Sequence, residues 1–235
     1  MWFGWRDEVS GRAKVRALRG DTGVQDDGDE VEILDFDANW GHGPYGGATD
    51  VKGDFWVLGT GGTLYRVKGD DFEVEAWIVP ASAGGDMDPV LYGISISAQG
   101  DVWLAGFSDG AVWKFDIEEE VFDGSFATGG SRLRGLALDE DGSAWAAANQ
   151  SCGLVHFDTV DETIVDGSID LPGCSTPVGV SIDHEGFVWV VDQTANKAFK
   201  VDPDGYAVVA EVGGLDGPYT YSDMTGIGLR IVLPQ

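Results

Sequence analysis

Arg132, Arg134, Tyr45, Tyr92, Tyr221, His42 and Asp223 are the side chains of this chain best placed to hold a small molecule. With Trp40, Tyr219 and the carboxamides Asn149, Gln150 and Gln193, they combine aromatic faces with hydrogen-bonding groups, which suits a polar organic ligand such as a sugar or a peptide. Asp223 is the sharpest of them. A carboxylate facing a shared channel is hydrated, paired with Arg132 or Arg134, or bound to a metal ion, unless it makes a structural hydrogen bond. Ordinary loop composition is the competing reading of the whole set. The sequence has no glycine-rich phosphate loop opening a helix, no Cys/His metal spacing and no Gly-x-Ser-x-Gly elbow. The acidic strings at 26–30, 139–142 and 202–205 lack the alternating ligands and distal glutamate of a calcium loop, and their Asp-Gly steps are turn chemistry.

These residues are far apart in the chain, so a fold must gather them. Four strings, each a glycine followed two residues later by an apolar step into tryptophan, end at Trp56, Trp103, Trp145 and Trp189, at spacings of 47, 42 and 44 residues. Self-similarity at that period, with strand-like segments between, is the signature of a β-propeller. Each unit opens with an inner strand ending at Gly53, Gly100, Gly142 or Gly186, followed by the tryptophan strand and two more. Four strands make one blade. Ala48, Ser95, Ala137 and Ser181 fall at one inner-strand register, as crowding around a central channel requires, and the tryptophans fill the core between blades. The nominated side chains then sit in loops around one mouth of the channel.

The ends of the chain settle the expected blade number. With Trp2 as a fifth core tryptophan, residues 1–38 supply the second, third and fourth strands of a blade whose inner strand is missing, and residues 219–228 supply that strand, with Gly228 lying 42 residues after Gly186. The expectation is an all-β, five-bladed propeller of four-stranded blades in a single domain, with blades at about 44–82, 90–128, 132–172 and 176–215 and a closing blade shared between 1–38 and 219–228. Residues 229–235 also read as a strand and compete for the slot of the N-terminal one. A closed ring implies a monomer, and a piece of a longer array implies an oligomer.

Forty-one acidic against 14 basic residues give a net charge of −27, which repels nucleic acid and anionic membranes. Solubility in a salty or extracellular medium explains the excess, with a cation-binding role as the alternative. Five basic residues crowd into the first twenty positions, so one edge is expected to be locally basic. No apolar run is long enough to span a bilayer. Cys152 and Cys174 fall in two loops on the same face of the ring. A disulfide there closes a loop worth about 3 kcal/mol and implies an oxidising compartment, periplasmic or extracellular.

The Pro-x-Gly element before the inner strand (Pro44-Tyr45-Gly46, Pro177-Val178-Gly179), the Gly-x-x-Trp turn and the third strands carrying Lys114-Phe115-Asp116 and Lys200-Val201-Asp202 resemble those of virginiamycin B lyase-like and NHL-type propellers. That broad group includes lyases, lactonases and plain binding modules, many with six or seven blades, and its lyases use a metal with His and Glu side chains. His184 lies at an inner-strand turn away from the mouth and His156 inside a third strand, which leaves His42 as the loop histidine. The leading expectation is therefore a non-enzymatic binding or scaffold propeller without a cofactor, taking a small polar ligand or a protein partner, either whole or as a fragment or engineered piece of a longer repeat protein. The alternative is a lyase- or lactonase-type enzyme holding a divalent cation, Ca or Mg, at the channel mouth through Asp223 and His42.

Overall fold

In the second and fifth blades the turn after the inner strand locks the tryptophan of the next strand in place. In the computed structural model, which describes residues 1–10, 12–24, 30–33, 44–80, 90–129 and 132–220, Asp50 accepts hydrogen bonds from the amides of Lys52 and Asp54 and from Trp56 Nε1 (2.9 Å). Asp183 does the same for the amides of Glu185 and Phe187 and for Trp189 Nε1 (3.0 Å). Asp139 accepts the amides of Asp141 and Ser143, so this acidic string is a turn. Gly53, Gly100, Gly142 and Gly186 close these turns in the left-handed region, where a Cβ would be strained.

From each turn the chain zigzags outward as an antiparallel sheet. Strands β1 (Trp2–Arg6), β2 (Ala13–Ala17) and β3 (Glu30–Ile33) form a three-stranded sheet. Four four-stranded sheets follow in chain order: β4 (Gly47–Thr49), β5 (Phe55–Gly59), β6 (Thr63–Val67) and β7 (Val74–Ile78); β8 (Leu91–Ile96), β9 (Val102–Gly106), β10 (Ala111–Asp116) and β11 (Val121–Ala127); β12 (Leu133–Leu138), β13 (Ser143–Ala148), β14 (Gly153–Asp158) and β15 (Thr163–Asp170); β16 (Pro177–Ile182), β17 (Val188–Asp192), β18 (Lys197–Val201) and β19 (Val208–Gly213). These are five blades of a β-propeller. The expected inner strand of the closing blade, apart from its first two residues, and residues 229–235 lie outside the described residues.

Burial follows position within a blade. Strands β5, β6 and β9 are buried throughout, whereas outer strand β11 alternates exposed and half-buried residues. Sheets with two apolar faces must be covered on both, and four hydrophobic clusters fill the four successive seams between blades. Trp56, Trp103 and Trp145 are fully buried in them, contributing about 2–3 kcal/mol each. Trp2 plays the same part for the first seam, stacking on Phe55 (5.6 Å) and donating Nε1 to the Gly53 carbonyl (3.0 Å).

A second device crosses the seams. Opposite each repeat tryptophan, on the third strand, sits a basic side chain: Arg66, Lys114, His156 and Lys200 face Trp56, Trp103, Trp145 and Trp189. Arg66 lies 5.2 Å over the Trp56 ring, and the His156 imidazole stacks on Trp145 at 4.0 Å. From there Arg66 reaches Glu120 (2.7 Å), Lys114 reaches Glu162 (2.6 Å) and His156 Nδ1 reaches Tyr206 OH (3.0 Å), each in the next blade. In the first seam Trp2 packs on Phe72. Phe72, Glu120, Glu162 and Tyr206 all occupy the left-handed region at the hairpin between third and fourth strands, a conformation that costs a non-glycine residue about 1–2 kcal/mol.

Blade three breaks the turn lock. Ser97 stands where the other turns have Asp50, Asp139 and Asp183, and both Ser97 Oγ and Trp103 Nε1 are buried without a hydrogen-bond partner. Ser97→Asp restores the missing acceptor and is expected to add about 1 kcal/mol of stability, a rise of about 2–4 °C in Tm for a domain of this size, read by calorimetry. An unchanged or lowered Tm would show that the turn aspartate does not lock the tryptophan.

His156 makes the fourth seam pH-sensitive. Burial pushes its imidazole below the ordinary value, with Asp158 and Asp166 opposing the shift. The folded state then binds fewer protons than the unfolded one, so this contribution is intact above about pH 6.5 and is lost as pH falls below it. Asp183, held down to about 2 chiefly by Trp189 and Lys200 against its desolvation, loses its contribution only at much lower pH. Between pH 7.5 and 5.5 the Tm should therefore fall more in the unsubstituted protein than in His156→Gln; parallel profiles would remove His156 as the cause.

Candidate functional site at the channel mouth

The residue just before the repeat glycine of each inner strand defines a ring. With Gly46, Gly93, Gly135 and Gly179 as that glycine, the ring positions are Tyr45, Tyr92, Arg134 and Val178. Ladder register shifts at this level in β8, β12 and β16, between Leu91 and Gly93, Leu133 and Leu136, and Pro177 and Gly179. A bulge of this kind lifts its residue out of the pleat and re-aims the side chain. Here the inner strands also touch backbone to backbone. A Cβ on Gly93 would fall on the Arg134 carbonyl oxygen, and one on Gly135 would lie 2.6 Å from the Val178 carbonyl oxygen. The repeat register places Thr220 at the same position of the fifth unit.

Side chains from several blades converge at this level. Tyr219 OH hydrogen-bonds Tyr45 OH (2.5 Å) and Tyr92 OH, and the Tyr45 and Tyr92 rings meet edge to face at 4.9 Å. Arg134 lies over both the Tyr92 ring (5.2 Å) and the Phe107 ring (5.5 Å), and Arg132 over Phe107 (5.4 Å). Burial, reinforced by the bond to Tyr219, holds the Tyr45 and Tyr92 phenols far above the ordinary value. They stay protonated and neutral.

The local electrostatics differ from the rest of the surface. The basic residues of the N-terminal strands are matched by acids: Arg12 with Glu32, Lys14 and Arg16 with Glu30, Arg19 with Asp21. That edge is therefore an ion-pair network instead of the expected basic patch. Neither Arg132 nor Arg134 forms an ion pair with a described residue, and Arg134 Nε is buried with no hydrogen-bond partner. Thr220 Oγ1 is in the same condition.

Of the residues nominated from sequence, the structure brings Tyr45, Tyr92, Arg132 and Arg134 together with Tyr219. His42, Tyr221 and Asp223, with Trp40, lie outside the described residues. Asn149 lends its amide group to the Pro177 carbonyl (3.4 Å). Phe107, Val178 and Thr220 were not nominated. Phe107 directly follows β9, where the other blades carry Thr60, Asn149 and Gln193, and that aromatic replacement was the available signal.

A divalent cation needs carboxylate, carbonyl or imidazole ligands. The described mouth residues present protonated phenols and two guanidinium groups, a set that does not fit one. Elsewhere Cys152, Cys174 and Asp192 have ligand atoms within 4.8 Å of one another, but the sulfurs are joined in a disulfide with Cα atoms 5.8 Å apart. The buried Asp192 carboxylate is occupied by the amides of Ser175, Thr176 and Ala195. It pins the loop that carries Cys174. Reducing the disulfide is expected to cost about 3 kcal/mol, a fall of about 6–12 °C in Tm when melts with and without dithiothreitol are compared; a Tm that ignores the reductant would show the bridge to be energetically idle.

No family model matches the chain, and no curated protein does. Solved structures share its fold. Selenomethionine-substituted virginiamycin B lyase from Staphylococcus aureus superposes with a TM-score of 0.73 at 16% identity, covering 97% of this chain and 79% of that one. A catalytically inactive histidine-to-alanine variant of the same enzyme with quinupristin gives 0.74 at 15% identity over 97% and 80%. A streptogramin B lyase gives 0.71 at 16% identity over 91% and 72%. The chain therefore has the β-propeller fold of these lyases. No described helix is long and apolar enough to cross a membrane.

Proposed function

We propose that this protein is a non-catalytic binding propeller that takes a small polar organic molecule at the channel mouth, in an oxidising compartment of the periplasm or the cell exterior. One observation carries the reading: Tyr45, Tyr92, Arg134 and Tyr219, from separate parts of the chain, converge beside Phe107 on the ring level of the inner strands. The chemistry of that set favours binding over turnover. General acid–base catalysis needs a group titrating near the working pH, whereas these phenols are held protonated by burial and guanidinium does not titrate. The disulfide between Cys152 and Cys174 supports the compartment.

The likeness to lyases supports a second reading, a metal-dependent enzyme that draws on His42 and Asp223. A thermal-shift screen of sugars, short peptides and organic acids, run with and without EDTA, separates the two. Binding is expected to raise the Tm equally in both buffers and to weaken at least about fivefold in Phe107→Leu, which removes the ring that both arginines cover. Metal in the purified protein, with turnover abolished by EDTA, would establish the enzyme instead.

A further inference from the structure

We propose that the mouth recognises a small organic carboxylate, its charged end held by Arg134 and its planar or apolar body laid against Phe107 and Tyr92; this rests on the mouth being the ligand site. The first ground is an imbalance of donors and acceptors. Among the described residues four buried side-chain N or O atoms lack a hydrogen-bond partner. Two of them, Ser97 Oγ and Trp103 Nε1, are explained by the altered turn of blade three. The other two are Arg134 Nε and Thr220 Oγ1, which fall at one register of the repeat, Arg134 before Gly135 and Thr220 before Tyr221, where the fifth unit lacks the glycine.

An Nε–H can only donate, and a threonine hydroxyl can donate as well. A buried donor left unmet is costly, so the missing component is an acceptor. Its charge follows from Arg134. Every described cation of strands β6, β10 and β18 has a carboxylate partner, Arg66 with Glu75, Lys114 with Asp123, Lys197 with Glu211 and Lys200 with Asp183. Arg134 has rings beneath it and no carboxylate among the described residues, in a chain with 41 acidic residues. The protonated phenols beside it do not offset its charge. A guanidinium offers two parallel N–H groups, the geometry that a carboxylate accepts. The second ground is the apolar floor. The half-buried Phe107 ring packs on the buried Tyr92 at 6.0 Å with planes 26° apart, an apolar wall beside the guanidinium.

Titration calorimetry at pH 7 with benzoate, benzamide and inorganic phosphate tests this. Benzamide keeps the shape of benzoate without its charge, and phosphate keeps charge without a skeleton. Benzoate is expected to bind at least about tenfold more tightly than either. Arg134→Gln should reduce benzoate to the level of benzamide while leaving the Tm within about 2 °C, and Thr220→Val should weaken benzoate by about threefold. If Arg134→Gln fails to fold, Arg134→Lys keeps the charge without the two-pronged donor and is expected to lose most of the preference for benzoate over phosphate. Equal binding of benzoate and benzamide, both weakened by Phe107→Leu, would overturn the carboxylate while leaving mouth binding standing. Phosphate binding as tightly as benzoate would overturn the organic skeleton. No heat from benzoate at millimolar concentration would overturn the inference, and the sugar and peptide arms of the thermal-shift screen report separately whether the mouth binds anything.

Discussion

A basic side chain paired across the ladder with a tryptophan and reaching into the neighbouring blade is the interaction that sets separate sheets at a fixed angle to one another. Among the described residues backbone–backbone hydrogen bonds run only within each sheet, so the polar contacts that join blades are made by side chains. The apolar clusters supply most of that energy, but apolar packing is non-directional and leaves the angle between blades free to vary. The reach of Arg66 to Glu120, of Lys114 to Glu162 and of His156 to Tyr206 fixes it. Their partners sit on residues in the left-handed region, and such strain persists only where the surroundings over-determine it. Here the preceding blade does so.

The angle matters because the mouth is built from backbone proximity. Adjacent inner strands approach closely enough that only glycine fits at Gly93 and Gly135. That closeness brings the ring residues of successive blades to one level, where Arg134 covers Tyr92 and Tyr219 bridges Tyr45 and Tyr92. Widening a seam by one ångström would part the phenols, since hydroxyl hydrogen bonds weaken steeply beyond about 3 Å. The ligand site and the seam are thus one mechanical problem. Trp189 shows the other side of this rule: in the last described blade, with Lys200 paired inside its own blade to Asp183 and Glu185, the repeat tryptophan is only partly buried.

The fold was legible because spacing survives divergence. Gly-x-x-Trp strings, turn glycines and alternating strands recur wherever a blade must turn and pack, and among the described residues the strands derived from them are those observed. The latch was hidden for a different reason. Arg66, Lys114, His156 and Lys200 stand at one register of the sequence, but their partners Glu120, Glu162 and Tyr206 differ in chemistry, and a left-handed glutamate in a hairpin looks like any surface acid. Tyr45, Tyr92 and Arg134 were readable as mouth residues from their loops, yet not as one ring position, because a bulge leaves no mark in composition. Phe107 directly follows an apolar strand and is indistinguishable in sequence from the end of it. His42, Tyr221 and Asp223 lie outside the described residues, so their nomination rests on the sequence alone.

The acidic composition and a mouth that attracts an anion are compatible because the two act over different ranges. The net charge of −27 is spread over exposed hairpins and outer strands, for example at Glu118, Glu119, Glu140 and Asp141. Its field decays over about 8 Å at physiological ionic strength. A polyanion or a charged bilayer meets many of those acids at once and is repelled by their sum. A small carboxylate that reaches the mouth meets chiefly the groups within hydrogen-bond range, and there the described charges are Arg132 over Phe107 and Arg134 over Phe107 and the protonated Tyr92. Burial strengthens that short-range attraction, because a partly desolvated guanidinium is screened less than the exposed acids that oppose it. On the proposed reading, the same surface repels large anions by its exterior and takes a small carboxylate at its mouth, a selectivity by size that needs no gate.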